Sequence, residues 1–192
     1  MDADSPPVTL YTAGHGDRSL AELVELLREA GVERVVDVRS HPSSRRHPQF
    51  GKTALGMGLR EAGIGYLWAG EVLGGLRKER GRSRHTALTS AGFRAYADHM
   101  ATPEFRAAVD HLLGQARPAR LALLCAERRP WECHRWFLAD ALVVAGARVE
   151  HLMEVGQRRV HRLTPLARLE DGILVYDRGT TAELDLAPPI SP

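Results

Sequence analysis

The period of the apolar positions changes several times along the chain, and each change marks an element. The run VTLYTA (8–13) is short, apolar and β-prone and ends at Gly14-His15-Gly16, which predicts a first strand closed by a tight turn. Leu20, Leu23, Val24 and Leu27 then recur on one helical face. Ser19 with Glu22 three residues later forms a capping box ahead of that face, and Gly31 stands where a C-terminal cap belongs. RVVDVRS (34–40) predicts a second strand. Strand, helix and strand in this order make a βαβ unit, whose crossover leaves the strands parallel and right-handed.

HPSSRRHPQFGK (41–52) is rich in turn formers and reads as a loop, after which Leu55, Leu59 and Ala62 predict a short helix despite Gly56 and Gly58. GYLWAG (65–70) is a third strand. EVLGGLRKERGRSRHT is a long excursion rich in glycine and arginine, of the length that tends to be functional or disordered. Helical patterns over about 90–100 and 103–114 lead into LALLCAE (121–127), apolar without interruption, as strands in the middle of a parallel sheet are. An amphipathic helix over about 132–145 is closed by Gly146, RVEHLM (148–153) is a fifth strand, and the runs 158–163 and 173–176 are expected to pair as a C-terminal hairpin. The predicted architecture is α/β: a single domain over 1–192 with a mainly parallel sheet flanked by helices on both faces. Its core spans about 8–155, and a hairpin and tail follow over 156–192, with LAPPISP frayed.

A formal net charge of +2 excludes a polycation built to coat nucleic acid, so local patches must carry any anion recognition. Every basic residue except Lys52 and Lys78 is an arginine, whose planar fork suits phosphate and carboxylate, although codon bias produces the same composition. No window is long and apolar enough to span a bilayer, and MDADSPPV lacks the regions of a signal peptide, so a soluble, cytoplasmic protein without a membrane partner is expected. Two cysteines in such a setting read as thiols rather than a disulfide framework. Neither a cofactor nor an oligomeric state follows from the residues.

Open parallel sheets bind ligands beyond the carboxyl ends of their strands. His15 follows the first predicted strand, Arg39 and His41 end the second, Arg45, Arg46 and His47 lie in the next loop, and Glu71 follows the third. Cys125 and Glu127 end LALLCAE, and Cys133, His134 and Arg135 open the helix after it. Three chemistries compete there. Cys125, at a strand end near arginines and a helix start, suits an attacking thiolate, though a buried cysteine is more often a small apolar core group. The phosphatase spacing fails because position 131 is Trp. Cys125, Cys133 and His134 are soft ligands, but without the paired C-x2-C spacing of a zinc site no metal is expected. Arg39, Arg45, Arg46 and Arg135, with backbone N–H groups at helix starts, suit an anion. Asp37, acidic in a buried strand, reads as an acceptor for the following loop. The three tryptophans read as packing groups.

TAGHG, DVRSHPSSRRHPQF, YLWAGEVLGG and LLCAERRPWECHR, in this order, resemble the DUF488 family of bacterial and archaeal proteins of unknown function, over about residues 8–155. The resemblance implies motif roles for His15, Asp37, Arg39, Pro42, Ser44, Arg45, Phe50, Tyr66, Leu73, Gly74, Gly75, Cys125, Glu127, Cys133, His134 and Arg135. Gly16 departs from the serine usual after that histidine. VVDVRSHP followed later by LLCAE, a loop, a helix and a strand is also distantly similar to rhodanese-like domains, which carry a persulfide on the loop cysteine, though their six-residue loop is not reproduced. The leading expectation is an enzyme-like anion site for a phosphate-bearing small molecule, a nucleotide, or nucleic acid. Arg39, Arg45, Arg46, Cys133 and Arg135 would bind the substrate there, with His15, Cys125, Glu127 and His134 as catalytic candidates. The alternatives are a non-catalytic nucleic-acid-binding module using the basic loop 77–84, and a cysteine-dependent sulfurtransferase-like enzyme.

Overall fold

The computed structural model describes residues 7–43 and 46–179. Strand β1 (Thr9–Gly14) runs into helix α1 (Leu20–Glu29), whose start the sequence encodes in full: Ser19 Oγ accepts from the Glu22 N–H (3.2 Å) while Glu22 Oε2 accepts from the Ser19 N–H (2.6 Å). Gly31 beyond its end takes φ +67°, the left-handed conformation that stops a helix. Then follow β2 (Arg34–Asp37), α2 (Lys52–Glu61), β3 (Gly65–Trp68) and the short α3 (Gly70–Leu73), α4 (Ala91–Met100) and α5 (Pro103–Ala116). The central strand β4 (Leu121–Cys125) leads through a 3-10 turn at Pro130–Glu132 to α6 (Arg135–Val144) and β5 (Arg148–Glu154).

The six-stranded sheet has the order β3-β2-β4-β1-β5-β6, with β6 being Gln157–Val160. Its first five strands are mutually parallel, and β6 closes one edge antiparallel to β5. Alternate residues of the strands feed two cores. Tyr11, Ala13, Val35, Ala122 and Leu124 pack with α1 and α2, whereas Leu10, Val36, Leu121, Leu123 and Val149 pack with α4, α5 and α6 on the opposite face. Each fully buried Leu or Val contributes about 1.5–3 kcal/mol, which is why β4, buried at every position, reads as one apolar run.

The runs 158–163 and 173–176 do not pair with each other. The first forms β6 against β5, and the second, β8 (Ile173–Tyr176), pairs with β7 (Ala167–Glu170) in a separate two-stranded ribbon. QRRV and ARLE are short and mostly polar, so neither carries the alternation by which a partner could have been read. No helix among the described residues is long and apolar enough to cross a membrane.

Candidate active site

Chain topology places the site at the end of β4. Helices leaving β1 and β2 turn to one face and the helix leaving β4 turns to the other, so the carboxyl end of β4 stands between two diverging crossovers. The loops after β1 and β4 are stitched together there: the His15 N–H donates to the Cys125 carbonyl (3.1 Å) and the Gly16 N–H to the Ala126 carbonyl (2.7 Å). Gly14 permits this approach, because a Cβ on it would strike the Glu127 carbonyl. A cleft of about 400 Å³ opens over this point, lined by Arg39, His41, Gly75, Leu76, Phe93, Cys125, Glu127, Glu132, Cys133 and His134 among others.

At its floor the two sulfurs meet. The Cys133 thiol donates to Cys125 Sγ at 2.8 Å, and both thiols are free. They lie eight residues apart in sequence, and the 3-10 turn, closed by the Cys133 N–H on the Pro130 carbonyl (3.1 Å), folds the second back onto the first. His134 completes the group: its Nε2–H donates to the Val38 carbonyl (3.1 Å), which leaves Nδ1 unprotonated and facing Cys133 Sγ (3.5 Å) and Cys125 Sγ (3.7 Å). Gly75 leaves no room for a Cβ beside that ring, and Tyr96 meets it edge-on at 5.0 Å. The hydrogen bond from Cys133 holds the Cys125 thiol well below its ordinary pKa, against the opposing effect of burial, and the charge of Arg135 adds to the depression. Burial, and then the bond to Cys125, push the Cys133 thiol up. The pair is therefore polarised, with Cys125 the thiol that gives up its proton more readily and Cys133 the one that holds it.

The arginines expected as anion clamps are otherwise engaged. Arg39 lines the cleft, but Nε and Nη2 grip Asp37 (2.9 and 2.6 Å) and Nη1 faces His15 Nε2 (3.3 Å). Asp37 in turn accepts from the Arg39 N–H (3.1 Å) and the Tyr66 hydroxyl (2.8 Å), which satisfies the buried acid. Arg135 is buried and does not line the cleft, donating to the carbonyls of Glu127 (2.5 Å) and Arg128 (2.8 Å), so it shapes the loop between the cysteines. Arg46 is exposed, and Arg45 and Ser44 lie outside the described residues. Arg128 pairs with Asp17 and Glu154, and Arg129 with Glu132.

His15 does not line the cleft. Its Nδ1–H donates to the Gly16 carbonyl (3.0 Å), its other nitrogen faces Arg39, and its ring stacks on Phe50 at 4.2 Å. Burial, and then the Arg39 charge, lower its pKa to about 4, so the ring is neutral over the physiological range with both nitrogens occupied. Glu127 is exposed at the rim, and Glu71 lines a different hollow beside His99. Trp136 and Trp131 pack edge to face at 6.4 Å, and Trp68 donates to the Arg39 carbonyl (2.9 Å). The structure thus gathers the side chains of Cys125, Cys133 and His134 from the expected set, while the side chains of His15 and Arg135 are held by Gly16, Arg39 and loop carbonyls and do not line the cleft. The Val38 carbonyl is the contributor that sequence reading missed, since a backbone acceptor leaves no mark in sequence, and Gly75, which has no reactive group, was named only through the family resemblance.

No curated protein and no solved structure matches the chain, and the rhodanese-like resemblance finds no support. The family model described as domain of unknown function DUF488 matches residues 19–142, a span that runs from α1 into α6 and includes both cysteines and His134. With more than half of its length matched, this chain belongs to the DUF488 family.

Proposed function

We propose that the protein is a thiol-dependent enzyme that exchanges its two cysteines with the disulfide of a small molecule seated in the cleft. The Cys125 thiolate attacks one sulfur of R–S–S–R′, forming a mixed disulfide and releasing R′S⁻. Cys133 then gives up its proton, for which His134 Nδ1 is the adjacent acceptor, and its sulfur attacks Cys125 Sγ. That step forms the internal disulfide and releases RS⁻. The substrate gains two electrons and the cysteine pair loses two; the reverse sequence oxidises an external dithiol. The observation that carries this reading is the 2.8 Å contact between the two sulfurs at the floor of a cleft, with the depressed thiol the one placed to attack.

The same contact disfavours a persulfide carrier. A terminal sulfur on Cys125 would be expelled as sulfide when Cys133 attacked, so an adjacent thiol discharges such a carrier rather than storing its sulfur. An anion site draws less support because Arg39 and Arg135 are committed to Asp37 and to loop carbonyls. A nucleic-acid module through 77–84 draws less as well: Arg77 is turned onto the carbonyls of Glu71, Val72 and Gly74, and Arg84 pairs with Glu170.

An aromatic disulfide that releases a coloured thiolate tests the proposal under a chelator. Wild type should release two equivalents per chain. Cys133→Ser should release one and retain the mixed disulfide by mass, and Cys125→Ser should lose the fast phase. A fast phase that survives Cys125→Ser, or a single equivalent from wild type, overturns the assignment.

A further inference from the structure

Beyond exchange chemistry, we propose that the reduced protein binds one Zn²⁺ through Cys125 Sγ, Cys133 Sγ and His134 Nδ1, leaving a fourth coordination position open to the cleft. The three donor atoms all lie within 4.8 Å of one another. Around a tetrahedral zinc with Zn–S about 2.3 Å and Zn–N about 2.0 Å, nitrogen and sulfur stand roughly 3.5 Å apart and two sulfurs roughly 3.8 Å. His134 Nδ1 already sits 3.5 and 3.7 Å from the sulfurs. Only the sulfur pair, at 2.8 Å, must part, by about 1 Å, within reach of a small torsional adjustment of either side chain.

A second observation is independent of that spacing. A metal-ligating histidine almost always donates its remote N–H to a carbonyl or carboxylate, which fixes the ring and directs the lone pair at the metal. The Nε2–H of His134 does so on Val38, with Gly75 and Tyr96 confining the ring. Two thiolates and an imidazole are soft-to-borderline donors, which favours Zn²⁺ over Mg²⁺ or Ca²⁺. Because all three side chains line the cleft, a bound metal would present its free position to water or substrate, the arrangement of three-ligand rather than closed structural zinc sites. Each thiol that enters the site protonated releases its proton, so affinity falls with pH. Zinc and the internal disulfide are mutually exclusive, since both claim the same two sulfurs.

The test titrates the full-length, reduced, metal-free protein with Co²⁺ under anaerobic conditions, without any disulfide substrate. One equivalent should bind with a thiolate-to-cobalt charge-transfer band and the intense visible absorption of tetrahedral cobalt, and Zn²⁺ should displace it. His134→Gln should weaken Co²⁺ by at least about tenfold. The same wild-type protein oxidised to its internal disulfide should bind none, a control that requires no substitution in the buried site. Absence of the charge-transfer band, or binding that survives oxidation, overturns the zinc site. The release of two thiolate equivalents, measured under chelator, is unaffected by that outcome, so the two proposals fail separately.

Discussion

Two histidine clusters draw on α6, one just before its first turn and one at its middle, and they differ in what their polar atoms are left to do. At the middle of α6, Asp140 anchors a closed chain. Thr12 Oγ1 lies 2.7 Å from His151 Nδ1, His151 Nε2 2.9 Å from His161 Nδ1, and His161 Nε2 2.8 Å from Asp140 Oδ1. The Thr164 N–H (3.0 Å) and the Tyr176 hydroxyl (3.1 Å) also donate to Asp140. Read in one direction, with Thr12 donating first and Asp140 accepting last, each histidine donates once and accepts once, and no lone pair or proton on either ring is spare. At the start of α6, by contrast, His134 has one nitrogen satisfied by backbone and the other facing two sulfurs beside a cleft. Burial is alike in the two clusters. What separates architecture from candidate chemistry is an unspent lone pair that faces a nucleophile and an opening.

The closed chain should therefore dominate stability. Asp140→Ala removes the acceptor of three donors in a fully buried place, and stranding them should cost about 3–5 kcal/mol. Urea unfolding followed by circular dichroism reads this directly. Cys133→Ser, at the open cluster, should cost under about 1.5 kcal/mol, near the low end for a single buried substitution. A cost for Asp140→Ala within that smaller range would mean the chain is no structural element.

A smaller effect should follow from crowding the open cluster without touching its reactive groups. A Cβ on Gly75 would stand 2.5 Å from His134 Nδ1 and 2.6 Å from Cγ, so Gly75→Ala must shift the ring. Overpacking of this kind costs about 1–3 kcal/mol. If His134 accepts the Cys133 proton during resolution, the second thiolate equivalent should appear at least tenfold more slowly, within the range of about 10²–10⁴ that a positioned base contributes. An unchanged second phase in a folded variant would remove His134 from that role.

The difference between the clusters also explains what could be read from sequence. Strands β1 to β5 and helices α1, α2, α4, α5 and α6 follow from apolar period and caps, and the rule that ligands gather at strand ends groups Cys125, Cys133 and His134, whose side chains do lie together. The pairing of the sulfurs was hidden by their eight-residue spacing, which only the turn at Pro130–Glu132 closes. Arg135, expected to bind an anion, donates instead to two loop carbonyls, because a guanidinium fork fits two carbonyls as well as one anion. The closed chain left no motif, since Thr12, Asp140, His151 and His161 sit on three strands or loops and a helix with no shared period.

The last contrast is with pH. Burial, and then the neighbouring His161, hold His151 well below the ordinary histidine pKa, and burial likewise lowers His85, His99 and His15, the last to about 4. A histidine whose folded pKa is depressed binds its proton more readily in the unfolded chain. Its stabilising contribution is complete above about pH 6.5 and is lost as pH falls from there toward the folded value. For His15 that window ends at about 4. Asp140 works in the opposite sense: burial raises its pKa, so the folded state takes up its proton first and offsets part of the loss at the acid end. Unfolding free energy should therefore decline between about pH 6.5 and about pH 5, each histidine adding a slope of at most about 1.4 kcal/mol per pH unit. Charge on His151 would meet His161, Arg135 and Arg159, all of which oppose it, while Trp136 covers its ring at 5.4 Å. His151→Gln keeps a donor and an acceptor for Thr12 and His161 but cannot titrate, so it should reduce the acid slope by about one proton while leaving the release of two thiolate equivalents intact. A slope equal to that of wild type would place the acid sensitivity at the other three histidines and not in the chain anchored by Asp140.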